Sequence, residues 1–193
     1  MIMEDEALIK AYLQQYEQKL EEALTAVCRE AKALPQEGPL PYTEDLVDKW
    51  KEIAPEYMAD AVPQIAEYPE VSVAWAAYLG MAWANVWHSD WKHGKKREYK
   101  SFYGPRAFDD MDEHILFEEL GLQKGSEAHH FIESLILKLS SLAVTLIRRE
   151  QIEPQSVLAF HVFARACKAM YKIGAAIQLK RMGYNFEKVN LGN

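Results

Sequence analysis

The sequence predicts an all-α protein: a helical bundle of about four long helices, roughly 4–33, 70–91, 126–150 and 154–182, with about three short helices, no β-sheet and a single domain over residues 1–193. Three observations lead there. Apolar residues recur at three- and four-residue steps over long windows, the spacing of one face of a helix. Alternation with a period of two is not sustained anywhere. One stretch, 71–91, carries four of the five tryptophans and no charge before Asp90, and it is too long for a strand.

The first helix carries Ile9, Tyr12, Leu13, Tyr16, Leu20, Leu24, Val27 and Ala31 on one side. Glu17, Lys19, Glu21, Glu22, Arg29 and Glu30 occupy much of the rest. Such a stripe serves core packing first, and over several heptad-like turns it can also serve as a dimer seam. Three prolines and a glycine in residues 34–42 preclude a helix there. Thr43 is the expected N-cap of a short helix with Glu44 and Asp45 in its first turn, ending near Ala54 before Pro55. Pro55 and Pro63 frame a second short piece, and Pro69 suits the first turn of the long apolar helix.

In that long helix Trp83, Trp87 and Trp91 form one side, with Ala76 and Gly80 leaving room for a close partner. Tyr78, Asn85 and Ser89 fall opposite, with His88 at the edge. An apolar surface nearly all the way round marks a helix enclosed by others. As a membrane span, 71–87 is at the short limit and contains Asn85, so no membrane partner is expected.

Residues 92–106 then carry Lys92, Lys95, Lys96, Arg97, Lys100 and Arg106 against the single acid Glu98, with Gly94, Gly104 and Pro105 making a loop. Residues 108–122 read as a short acidic helix stopped by Gly121. Ser126 caps the next long helix, whose core side is Ala128, Phe131, Ile132, Leu135, Leu139, Leu142, Leu146 and Ile147. Pro154 starts the last, with His161, Arg165, Lys168 and Lys172 as an outward basic stripe. The short connection makes these two an antiparallel pair.

Composition narrows function. The net charge of −7 argues against a nucleic-acid-binding surface over the whole molecule, though not against a local patch. Two distant cysteines, Cys28 and Cys167, form neither a disulfide framework nor a thiolate metal motif. The N-terminus, with Glu4, Asp5 and Glu6, has no leader-like apolar run, so a cytoplasmic location is expected. Walker A, dinucleotide-glycine and HExxH signatures are absent.

Three constellations carry chemistry. Five of six histidines fall between His88 and His130 among carboxylates, and His88, Asp90, His93, His114, Glu127 and His130 are candidate ligands for a divalent transition metal. Glu127 and His130 have the i,i+3 spacing of di-iron bundles, but no second copy exists. Lys95, Lys96, Arg97, Lys100 and Arg106, interleaved with Tyr99, Phe102 and Tyr103, are candidate contacts for an anionic ligand or nucleic acid. The simpler role of that loop is to neutralise the acidic helix following it. The polar side of the long apolar helix, with His88 as a base, is the third. Since none forms a coherent catalytic set, the leading expectation is an interaction or scaffolding role without catalysis, with the chain itself or another protein as partner. Metal binding and anion binding are the alternatives.

Overall fold

The computed structural model describes residues 2–184, with side chains from residue 5. Among these residues the protein is helical, without strands: α1 (Ile2–Glu30), α2 (Glu44–Ala61), α3 (Pro69–Gly94), α4 (Met111–Glu113, continued as a π-helix over His114–Glu119), α5 (Glu127–Arg149) and α6 (Val157–Arg181), with short 3₁₀ turns between. The only bridge among the described residues is the isolated Gly104–Ala107 pair.

The centre is α3 against α6. A Cβ on Gly80 would stand 2.0 Å from the Tyr171 carbonyl oxygen, and one on Gly174 would stand 2.0 Å from that of Ala77. The two backbones touch where both lack a side chain. Cys167 Sγ donates to the Ser72 carbonyl at 3.5 Å, and His88 Nδ1 lies 3.0 Å from the Tyr184 hydroxyl. Contacts advance in the same direction along both helices, so α3 and α6 run parallel. Ala76 and Gly80 therefore do admit a close partner, and that partner is the last helix.

The other helices wrap this pair. α1 runs parallel to α6, because Glu17 meets Arg165, Glu21 meets Lys172, and the Lys32 carbonyl accepts from Lys180. α2 runs opposite to α3: Ser72 Oγ donates to the Ala61 carbonyl at 3.0 Å, while Trp87 Nε1 donates to Asp45 at 3.0 Å. α5 also runs against α3 and α6, from Glu133 beside Tyr78 to Glu150 beside Tyr12. The expected antiparallel α5–α6 pair is present, although α6 packs chiefly on α3 and α1.

Caps Thr43 and Ser126 are as expected: Leu46 N donates to Thr43 Oγ1 at 3.2 Å and His129 N to Ser126 Oγ at 3.2 Å. Four expectations are corrected. α2 passes through Pro55 to Ala61, because Trp50, Ile53, Tyr57 and Met58 pack on the core. Pro55 and Lys51, whose carbonyl loses its donor, both lie on the exposed side, where water replaces the missing bond. α6 starts after Ser156, not at Pro154; Gln155 adopts φ 64° and Ser156 Oγ accepts from Ala159 N at 3.0 Å. The acidic segment 108–122 is helical and ends at Gly121 (φ 66°) as expected, but it is not one regular helix: it is 3₁₀ over Phe108–Asp110, α over Met111–Glu113 and π over His114–Glu119. Ala128 and Phe131 of α5 point outward; Phe131 is 44% exposed.

Candidate functional site

The polar side of α3, with Tyr78 and Asn85, meets α4 and the start of α5. Tyr78, buried on α3, faces Asp112 of α4 and Glu133 of α5, and burial followed by repulsion from both carboxylates raises its hydroxyl well above the tyrosine range. Asp112 is half-buried. Desolvation, reinforced by Glu113 and Glu133 and opposed by backbone N–H bonds, pushes its carboxyl up to about 6. Glu133 in turn holds His129 Nε2 at 3.0 Å, while Gly125 N donates to His129 Nδ1 at 3.0 Å. His129 is therefore an acceptor at one nitrogen and a donor at the other, and it is buried.

Two turns along α3, Asn85 donates to the Glu119 carbonyl at 3.1 Å. The Glu119 carboxylate receives both guanidinium nitrogens of Arg97, at 2.9 and 2.6 Å, and His114 Nε2 lies 3.3 Å away. Burial alone would raise the Glu119 pKa, but the Arg97 fork and His114 outweigh it and hold it below its ordinary value. Arg97 also lies over Phe102, 4.3 Å from the ring centroid. Glu119 was not picked out in the sequence. Its only signal there was an acid in an acidic helix after a basic loop.

The six candidate metal ligands separate in space. His88 is exposed and bonds Tyr184. Asp90 has extended backbone (φ −165°) that interrupts α3, and its carboxylate accepts from His93 N at 3.3 Å and lies 2.7 Å from His93 Nδ1. This pair caps the final turn of α3. His93 holds the exposed Asp90 carboxyl below its ordinary value. His114 belongs to Glu119. Glu127 and His130 are exposed, with the His130 ring stacked on His129 at 5.0 Å. No group of three or more His, Cys, Asp or Glu side chains among the described residues is arranged to hold a metal ion.

The basic loop divides as well. Tyr99 and Phe102 are buried and cannot stack on a ligand, because the first packs on Tyr57 and the second on Trp83. The hydroxyls of Tyr99 and Tyr103 both donate to Asp60 Oδ2, the former at 2.8 Å. Arg97 is taken by Glu119. Arg106 Nε sits 3.5 Å from Asp110, whose carboxylate also accepts from Arg106 N and closes the Gly104–Ala107 turn. Lys92, Lys95, Lys96 and Lys100 remain exposed. The loop thus does neutralise the following segment, through its two arginines.

An unexpected feature lies beneath it. Lys49 of α2 is buried, 3% exposed, with Nζ above the Trp83 and Trp91 rings at 4.7 and 5.7 Å, 2.9 Å from Glu52 and bonded to the Lys95 carbonyl. It closes the C-terminal end of α3 with a cation, where the helix dipole favours one.

In the basic stripe of α6 His161 is exposed as expected, while Arg165, Lys168 and Lys172 are half-buried and turned toward α1. Arg165 and Lys168 reach Glu17 at 2.6 and 3.0 Å, and Lys172 reaches Glu21 at 2.7 Å. Glu17, Glu21, Arg165 and Lys168 line an open groove of about 920 Å³ between α1, α6 and the 38–40 connector. A smaller one of about 280 Å³ continues it toward Tyr42 and Trp50.

Neither the family models, the curated proteins nor the solved structures contain a match to this chain.

Of the described residues, one helix, α5, is long and apolar enough by length and composition to cross a membrane. The opposite extreme of surface lies on α1, where residues 5–11 are exposed all round, Leu8 at 69% and Ile9 at 45%. At the start of α6 Val157 is 76% exposed and Phe160 43%, and extending the register set by Glu17 on Arg165 and Glu21 on Lys172 brings them to the level of Leu8 and Ile9.

Proposed function

We propose that this chain is a helical interaction module and not an enzyme. The observation that carries the reading is the uncovered apolar end formed by Leu8, Ile9, Val157 and Phe160. Isolated exposed apolar residues need no explanation, but a contiguous group at the end of a helix is the signature of a contact surface. Three half-buried carboxylates support the same reading, since Glu17, Glu21 and Glu119 each have a cationic partner in place, whereas Asp112 has none among the described residues. We place the protein in the cytoplasm, a reducing compartment in keeping with two free, buried cysteines. The test compares wild type with Leu8→Glu/Ile9→Glu at native abundance in cell extract. The wild type should run well above the size of the 22.2 kDa chain and the variant should run near it. Both running at the chain's size would contradict the reading.

A second reading, recognition of an anionic ligand, draws on Lys92, Lys95, Lys96 and Lys100, which are exposed and enter none of the ion pairs formed among the described residues. Lys95→Ala/Lys96→Ala should weaken retention on a polyanion such as heparin. Unchanged retention would sink it.

A further inference from the structure

The stripe that buries α1 does not end where the bundle ends. Leu13, Tyr16, Leu20 and Leu24 are at most 5% exposed, and the same three- and four-residue steps reach back to Ile9, which is 45% exposed. Residues 5–11 form an arm of about two turns, roughly 10 Å at 1.5 Å per residue, exposed at every position. A helical segment that short has little stability of its own. The arm carries Asp5 and Glu6 beside Leu8 and Ile9, with Lys10 as its one cation, so its charge is negative toward the tip.

A second surface has complementary character. In the most apolar 18-residue window of α5 only 39% is buried. Its outward side exposes Leu137 at 62%, and from Ser134 to Arg149 the helix carries Lys138, Arg148 and Arg149 with no acid. Neither these cations nor Asp5 and Glu6 enter an ion pair with the described residues.

The arm cannot reach this face in its own chain. α1 is antiparallel to α5, and α5 ends where Glu150 meets Tyr12. The arm continues past that point, away from Leu137 and Lys138. Resting on the interaction reading above, we infer that the occupant is a second copy of this chain, joined by a two-fold axis so that each arm lies on the partner's α5. An isologous contact of this kind covers the acidic-apolar arm and the basic-apolar face of both copies at once.

Light scattering on the full chain at about 50 μM should give twice the 22.2 kDa mass. Leu8→Glu/Ile9→Glu should leave the helical circular-dichroism signal intact and raise Kd by roughly 100-fold, the size expected for losing a central apolar anchor. Asp5→Lys/Glu6→Lys and Lys138→Glu/Arg148→Glu/Arg149→Glu should each weaken the homodimer, and mixing the two variants should restore a mixed dimer, because both arm–face pairs are complementary again. A dimer indifferent to the arm variant, or no recovery on mixing, overturns the arrangement. A wild-type chain that is monomeric when pure, yet loses a larger complex in extract on Leu8→Glu/Ile9→Glu, overturns the second copy as occupant and leaves the interaction reading standing.

Discussion

The α3–α6 crossing and the α1 arm are both helical, and they differ in what holds them. At the crossing each backbone is fixed by the other, and Gly80 and Gly174 leave no space for a single added carbon. In the arm residues 5–11 are exposed at every position, although they continue the same kind of apolar stripe. A helix is thus specified by its own periodicity, but its stability comes from what covers the stripe. The crossing is covered within the chain, and the arm is not.

The largest effect should come from breaking the covered region. Gly80→Ala places a carbon within 2.0 Å of a carbonyl oxygen that belongs to a rigid helix, so the pair must separate. We expect a loss of about 3–5 kcal/mol in urea unfolding, at the upper end for overpacking.

Arg97→Ala should cost about 2 kcal/mol, because Glu119 would stay half-buried with only His114 to face it. The pH dependence has a definite sign. The depressed Glu119 pKa contributes stability that is present above the unfolded carboxylate value and lost as pH falls through the folded one. The variant should therefore lose part of the wild type's acid sensitivity in thermal unfolding.

Asp112 acts in the other direction. Its carboxyl is raised from 3.8 to about 6, so the folded state binds the proton more tightly, and stability falls as pH rises through that window. Asp112→Asn should gain about 1 kcal/mol at pH 7 to 8, discounted for partial exposure, and gain nothing below pH 3.8. An Asp112→Asn variant whose stability difference is independent of pH would contradict this assignment.

The smallest effect on folding should come from the arm. Leu8→Glu in the isolated chain should change unfolding by less than about 0.5 kcal/mol, as expected for an exposed site with no partner. A loss near that of Gly80→Ala would mean that the arm is part of the core after all.

The same contrast explains what could be read from the residues. Long helices were legible because their stripes are periodic, and the close approach at Gly80 because small residues interrupt a tryptophan side. Pro55 misled because a proline's effect depends on which side of the helix it occupies, and that side was not known before the packing was. The π-geometry of 114–119 leaves no periodic trace in six residues. The histidines cluster in sequence yet disperse in space, since His88, His114 and His129 sit on three different helices and each has a separate partner. The basic stripe of α6 was visible, but its partners Glu17 and Glu21 lie some 150 residues away on α1.

Amide hydrogen exchange across residues 5–11 at two protein concentrations tests the central claim most directly. If a second copy covers the arm, exchange there should be slow at high concentration and should accelerate on dilution, while amides at the α3–α6 crossing remain protected at both. Arm exchange that is fast at both concentrations would contradict it.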